Sequence, residues 1–171
     1  MPNHCENILT ITGDKKEIKR CRAFIKGNEK DQFIDFNNII PMPKELVGTR
    51  SPMNLISQKE YDEQEERIAK ANKEPNWQDS RCLTKSLSKS YHDKFGADNW
   101  YDWSVMNWGT KWNAYGQAVL APNQIRFDTA WASPEPVIAK LSTLFPKLTF
   151  EVEYDIEGGC GNGCYEFTNG E

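Results

Sequence analysis

Leu148-Thr149-Phe150-Glu151-Val152-Glu153-Tyr154-Asp155-Ile156 alternates without a break, apolar at every even position and polar or acidic at every odd one. A period of two belongs to an extended strand, whose successive side chains point to opposite faces, so the segment predicts a strand with one dry and one acidic face. A strand wet on one side belongs to an antiparallel sheet covered by helices on the other, whereas strands of doubly wound folds are apolar on both faces. The cover stands just upstream. Ser133 caps a helix with Pro134 at its first position, and Val137, Ile138, Leu141, Leu144 and Phe145 form one stripe that ends before Pro146. Each large apolar side chain buried by that stripe contributes roughly 1.5–3 kcal/mol before the cost of conformational entropy.

Downstream, the Gly-rich turn 158–163 leads into a short last strand, 164–168. Upstream, 117–121 and 124–131 read as a hairpin around Pro122-Asn123, with Ile125, Phe127, Thr129 and Trp131 on one face and Arg126 and Asp128 on the other. Near the start, the β-branched run 7–12 stops at Gly13 and predicts the first strand. A helix follows, with Asp14 as cap, Glu17 reaching back to it, and Ile18, Cys21, Phe24 and Ile25 facing inward until Gly27-Asn28. Residues 33–40 read as a second extended segment, ended by Pro41-Met42-Pro43. The order β-α-β, insertion, β-β-α-β predicts a single α+β domain over 1–171: a ferredoxin-like antiparallel sheet, helices on one face, with one or two extra strands.

The insertion, 43–114, is read as mostly helical. Ser57 and Glu60 form a capping box that opens a helix running to Asn72, charged on almost every face. A second helix spans about 79–95, where Leu83, Leu87, Tyr91 and Phe95 recur every four residues and Gly96 closes it. At 171 residues one core is enough, and 38% hydrophobic with 27% charged residues is globular composition. The first residues show no basic-then-apolar secretory pattern, and five cysteines without framework spacing fit a reducing compartment, so the expected location is cytoplasmic, with no membrane span. A formal net charge of -4 argues against nucleic acid as partner.

Several segments together carry a resemblance: Met1-Pro2-Asn3-His4-Cys5-Glu6-Asn7, Ile39-Ile40-Pro41-Met42-Pro43, Asn107-Trp108-Gly109-Thr110-Lys111-Trp112, Thr129-Ala130-Trp131, and the closing Gly-rich turn with Asn169-Gly170-Glu171. The chain resembles the YubB ferredoxin-like domain family, small proteins of bacteriophages and conjugative plasmids. The resemblance implies a ferredoxin-like fold and a mobile-element origin. It implies no established activity and no cofactor.

The candidate binding residues are Trp100, Trp103, Asn107, Trp108, Thr110, Lys111 and Trp112, accompanied by Tyr101, Met106 and Tyr115. Two readings of this aromatic cluster stand side by side. Each ring can bury about 150–250 Å² and so anchor a polar insertion on the sheet. Alternatively the rings form a patch for a host protein, with Lys111 as a cation beside them. Cys160 and Cys164, with His4-Cys5, invite zinc by residue type, but the spacing is wrong for a paired knuckle, and no metal or cofactor is expected. Catalytic candidates such as Cys5, Cys82, His4, His92, Asp102 and Asp128 sit in no nucleophile elbow, phosphate loop or metal-binding helix, so no catalytic residue is assigned. The acidic row Glu151, Glu153 and Asp155 reads as a solvent face, or as a phosphate mimic for a basic host protein. The expected role is a non-catalytic binding protein, acting on host defence or regulation. The alternatives are a single-strand nucleic-acid module and an enzyme with an unrecognised site.

Overall fold

In the computed structural model the described residues are 3–71 and 80–171. Met1 and Pro2, Asn72 as the end of the charged helix and Asp79 as the start of the next lie outside them. The chain divides into two compact units, Met1–Pro41 with Met106–Glu171, and Met42–Val105.

In the first unit five strands form one antiparallel sheet in the order β2-β3-β1-β4-β5: β1 (His4–Thr12), β2 (Tyr115–Ala121), β3 (Gln124–Ala130), β4 (Thr149–Ile156) and β5 (Gly161–Thr168). With helices α1 (Lys15–Ile25) and α5 (Glu135–Leu144), the first four strands make the βαββαβ ferredoxin-like frame, and β5 is added beyond β4. The second unit falls within the connection between α1 and β2. The alternation read from the sequence sets the register. Cys5, Asn7, Leu9 and Ile11 of β1, Ile125, Phe127 and Thr129 of β3, and Phe150 and Val152 of β4 are fully buried on one face. Cys21 and Ile25 of α1 and Val137, Ile138 and Leu141 of α5 are buried with them.

The segment 33–40 is not a strand. Phe36–Asn38 is a short 3-10 turn, and Ile34 and Phe36 are buried. Instead of a ladder, the Gln117 side chain accepts from the N–H groups of Phe33 (2.7 Å) and Ile34 (2.8 Å) and donates to the carbonyl of Ile34 (2.9 Å). Asn113 accepts the next N–H, of Phe36, at 2.9 Å. The apolar content that suggested a strand fills the core, while one amide side chain supplies the hydrogen bonds a strand partner would have given.

Other boundaries shift for local reasons. Asp14 does cap α1, but Glu17 pairs with Arg20 at 2.7 Å instead of reaching back. Pro134, not Ser133, is the cap residue of α5, and its ring has no polar atom to cap with; the Ser133 hydroxyl is engaged instead with the hydroxyl of Tyr165 at 2.7 Å. β3 ends at Ala130, so Trp131 is not on its inward face; it stands beyond the strand and is 40% exposed.

In the second unit α2 (Gln58–Lys70) opens on the expected capping box between Ser57 and Glu60. The next helix, α3 (Lys85–Phe95), is capped by the Thr84 hydroxyl, which accepts from Leu87 N–H, and ends at Gly96 in the left-handed conformation. It starts late because the residues before it pair in extended form, Arg81 with Thr49 and Leu83 with Leu55. A further helix, α4 (Trp100–Trp108), spans the division between the units. Its run Trp-Tyr-Asp-Trp-Ser-Val-Met-Asn-Trp interleaves Asp102, Ser104 and Asn107 with its apolar residues and so carries no amphipathic stripe for a sequence reading to find.

Candidate binding surface

The run 107–112 separates into an inner and an outer part. Trp108 is 4% exposed; its indole N–H donates to the carbonyl of Ile40 at 2.9 Å, and its ring meets Phe36 edge to face at 5.8 Å. Gly109 has φ +75°, and a Cβ there would come within 2.8 Å of Pro136 Cδ, so the turn needs glycine twice over. Thr110 is 1% exposed, and its hydroxyl donates to the Ala130 carbonyl at 2.7 Å and accepts from the Ala130 N–H at 3.1 Å. One hydroxyl thus finishes the β3 ladder where β2 no longer runs alongside. Trp108 and Thr110 are therefore buried and hold this part of the first unit together from within. Asn107 is half-buried. Trp103 is buried as well and, with the half-buried Trp100, belongs to the second unit.

What the run presents outward is Lys111 and Trp112. The Lys111 ammonium lies 4.7 Å from the ring of Trp112 and 5.4 Å from that of Trp131. A cation between two indole faces is attracted by both ring quadrupoles. The cluster continues: Trp112 meets Tyr115 edge to face at 6.2 Å, and the Tyr115 hydroxyl lies 2.7 Å from His4 Nδ1. Burial raises the Tyr115 hydroxyl above its ordinary value, helped by the nearby Asp128 carboxylate.

Trp131 was not among the candidates, although the Thr129-Ala130-Trp131 segment had drawn notice. It has φ +73°, a conformation that costs an ordinary side chain of order 1–3 kcal/mol and persists only when the surroundings impose it. They do so through buried polar groups. Asn7, fully buried in central β1, donates to the Thr129 hydroxyl (2.9 Å) and the Cys5 carbonyl (2.9 Å), while the Thr129 hydroxyl donates across the turn to the Ala132 carbonyl (2.7 Å). The Trp131 N–H itself donates to the Asn3 carbonyl at 2.9 Å. Together with the Thr110 clasp on Ala130, these bonds fix the turn on both sides of Trp131 and turn its ring outward.

The remaining candidates go elsewhere. Cys5 is buried, and burial pushes its thiol above the ordinary 9.0, away from the thiolate a nucleophile needs. His92 Nε2 lies 3.6 Å from the Asp98 carboxylate. Cys82 donates to the Ser80 carbonyl, and Asp102 accepts from Asn99 at 2.7 Å beside the start of α4. Cys160 takes an Asn3 amide at 3.5 Å, while Cys164 sits on β5 opposite Glu153. Among the described residues no three His, Cys, Asp or Glu side chains group so as to hold a metal ion.

The open face of the sheet is acidic across four strands. The pairing places Asp128, Glu6 and Asp155 in one row, and Glu151 beside Glu166 in another. Arg126, on the same face, is already engaged by Glu6 at 2.6 Å, by Asp128 at 3.2 Å and by the Gly116 carbonyl at 3.0 Å. Burial raises the Asp128 carboxyl and its neighbour Glu6 adds to that, while Arg126 opposes both.

Residues 107–171 match the family model described as "Ferredoxin-like domain in Api92-like protein". The fold as a whole is similar to the crystal structure of a protein api92 from Yersinia pseudotuberculosis, with TM-score 0.52 and 12% identity over 99% of this chain and 95% of that one. No curated protein matches the chain.

Proposed function

We propose that this chain is a non-catalytic binding protein of phage or plasmid origin that engages a host protein through the surface formed by Lys111, Trp112 and Trp131. The single observation that carries the reading is the Lys111 ammonium held between two indoles, one of which is kept outward in a strained backbone conformation. Strain held in place by a buried hydrogen-bond network marks a surface prepared in advance for contact. Exposed Trp and a paired cation are the residue types that dominate protein interfaces. The mobile-element origin rests on the resemblance to the YubB family, and a host defence or regulatory protein is the target such an origin favours.

A protein partner is favoured over a nucleic acid by charge. A ferredoxin-like sheet that binds single strands offers stacking rings and cations on its open face. Here that face carries Glu6, Asp128, Glu151, Glu153, Asp155 and Glu166, with Arg126 already paired.

The test is capture from host lysate by the immobilised full chain, compared with the double variant Lys111→Ala, Trp112→Ala. Both side chains are partly exposed, so the variant is expected to keep the wild-type circular dichroism and melting temperature. At least one host protein should bind the variant about thirtyfold more weakly, which corresponds to the roughly 2 kcal/mol of an interface hot spot. Equal recovery of every protein by both would remove this surface. Salt-sensitive retention of single-stranded oligonucleotides would replace the protein reading with the nucleic-acid one.

A further inference from the structure

We infer that the free edge of β5 pairs with the β5 edge of a second copy of this chain, antiparallel about a two-fold axis at Cys164. Backbone hydrogen bonding decides which groups of β5 are open. Residues of an antiparallel pair alternate between bonding the partner strand and pointing away from it. The Glu157 N–H donates to the His4 carbonyl at 2.8 Å, so odd-numbered residues of β4 bond β1 and even-numbered ones bond β5. With Ile156 opposite Gly161 and Phe150 opposite Phe167, the odd residues of β5 bond β4 and the even ones point outward. Thr168 agrees: its N–H donates to the Glu171 carbonyl at 2.8 Å, and its carbonyl accepts the Glu171 N–H at 3.1 Å. That closes the last outward position. Asn162, Cys164 and Glu166 remain, all exposed, and among the described residues nothing hydrogen-bonds their outward backbone groups.

Nothing on β5 blocks an approaching strand. Its eight pairs with β4 run without a register shift, and it contains no proline, lysine or arginine. These are the devices by which edges are ordinarily blunted. A two-fold centred on Cys164 is the register in which all three open residues face open residues: Cys164 faces Cys164, and Asn162 faces Glu166 in both directions. That register is also chemically self-consistent. The Asn162 amide can donate to the opposing Glu166 carboxylate, no like charges face each other, and on the inner side Gly163 lies opposite the bulk of Tyr165. Centring on Glu166 would set Asn162 against Gly170, past the end of the strand; centring on Asn162 would set Glu166 against Gly158, within the turn.

The proposal is tested on the full chain by light scattering over a concentration series. The expected mass is that of two chains, falling to one on dilution. In the proposed pair the two Cys164 Cα atoms stand about 5.5 Å apart, within disulfide reach, so mild oxidation should link Cys164 to Cys164. Cys164→Pro removes an N–H that bonds nothing among the described residues and should give the one-chain mass with unchanged circular dichroism. Asn162 is at the surface, so a second pair of variants serves even if that proline disturbs the strand: Asn162→Lys should lower the dimer dissociation constant and Asn162→Glu should raise it, both effects shrinking with salt. A wild-type mass of one chain at every concentration would overturn the proposal. So would a dimer indifferent to both Asn162 variants, or oxidative linkage through Cys160 or Cys82 instead of Cys164.

Discussion

The sheet has two edges, and they are finished in opposite ways. β2 is irregular, with two register shifts against β3, and its surroundings are tied down by side chains: Gln117 holds the 33–34 backbone, Arg126 holds the Gly116 carbonyl, and Thr110 completes β3. Gly116 itself is at φ +56°, and a Cβ there would lie 2.4 Å from the Asp128 carboxylate, so that edge is shaped at the level of single atoms. β5 is regular and plain. The lesson is that an edge strand's tendency to recruit a partner depends less on its apolarity than on whether its outward N–H and C=O groups are already used. On β2 the Gly116 carbonyl is taken by Arg126; on β5, among the described residues, only the outward groups of Thr168 are used.

This contrast can be broken from the β2 side first. Trp108→Ala empties the space against Phe36 and removes the bond to Ile40, and it should lower unfolding free energy by about 3–5 kcal/mol in urea titration. A loss under 1 kcal/mol would mean that the indole is not part of the packing. Gln117→Ala should cost about 1–3 kcal/mol, because it takes the Gln117 side chain away from two N–H groups and from the carbonyls of Ile34 and Ala114. Amide hydrogen exchange would localise the effect: Phe33 and Ile34 should lose protection while β4 keeps its own.

The tyrosine of β5 extends the comparison. The Tyr165 hydroxyl, behind β5 and bonded to Ser133, is driven strongly above the ordinary 10.0 by burial, with the Ser133 bond opposing. A raised value means the folded chain resists ionisation. The associated stability is fully present below pH 10 and is lost as pH rises through the folded-state value. Tyr165→Phe should cost about 0.5–1.5 kcal/mol at pH 7 for the hydrogen bond. It should also lessen the decline in stability between pH 9 and 11. An unchanged alkaline decline would show that Tyr165 has no part in it.

Legibility in the sequence followed the physics. The sheet was readable where one face is dry, because period two survives in Leu148 to Ile156 and in Ile125, Phe127 and Thr129. Segment 33–40 was misread because extended apolar residues look alike whether their hydrogen bonds go to a strand or to Gln117. Helix α4 leaves no mark because Asp102, Ser104 and Asn107 are interleaved with its apolar residues and erase the stripe. Of the candidate site, Lys111 and Trp112 stay at the surface, whereas Trp108 and Thr110 turned out to be its internal supports; Trp131 was placed on the wrong side because its strand was carried one residue too far.

The alternation of 148–156 and the apolar stripe of 137–145 already imply an antiparallel sheet under helices, because each pattern leaves one face that must be buried against the other. Only the tertiary structure decided which tryptophans face outward, where Lys111 comes to rest, and which edge of the sheet is left open. Those outcomes depend on hydrogen bonds between residues more than a hundred positions apart, such as Asn7 with Thr129, and no local pattern of residues encodes such a pairing.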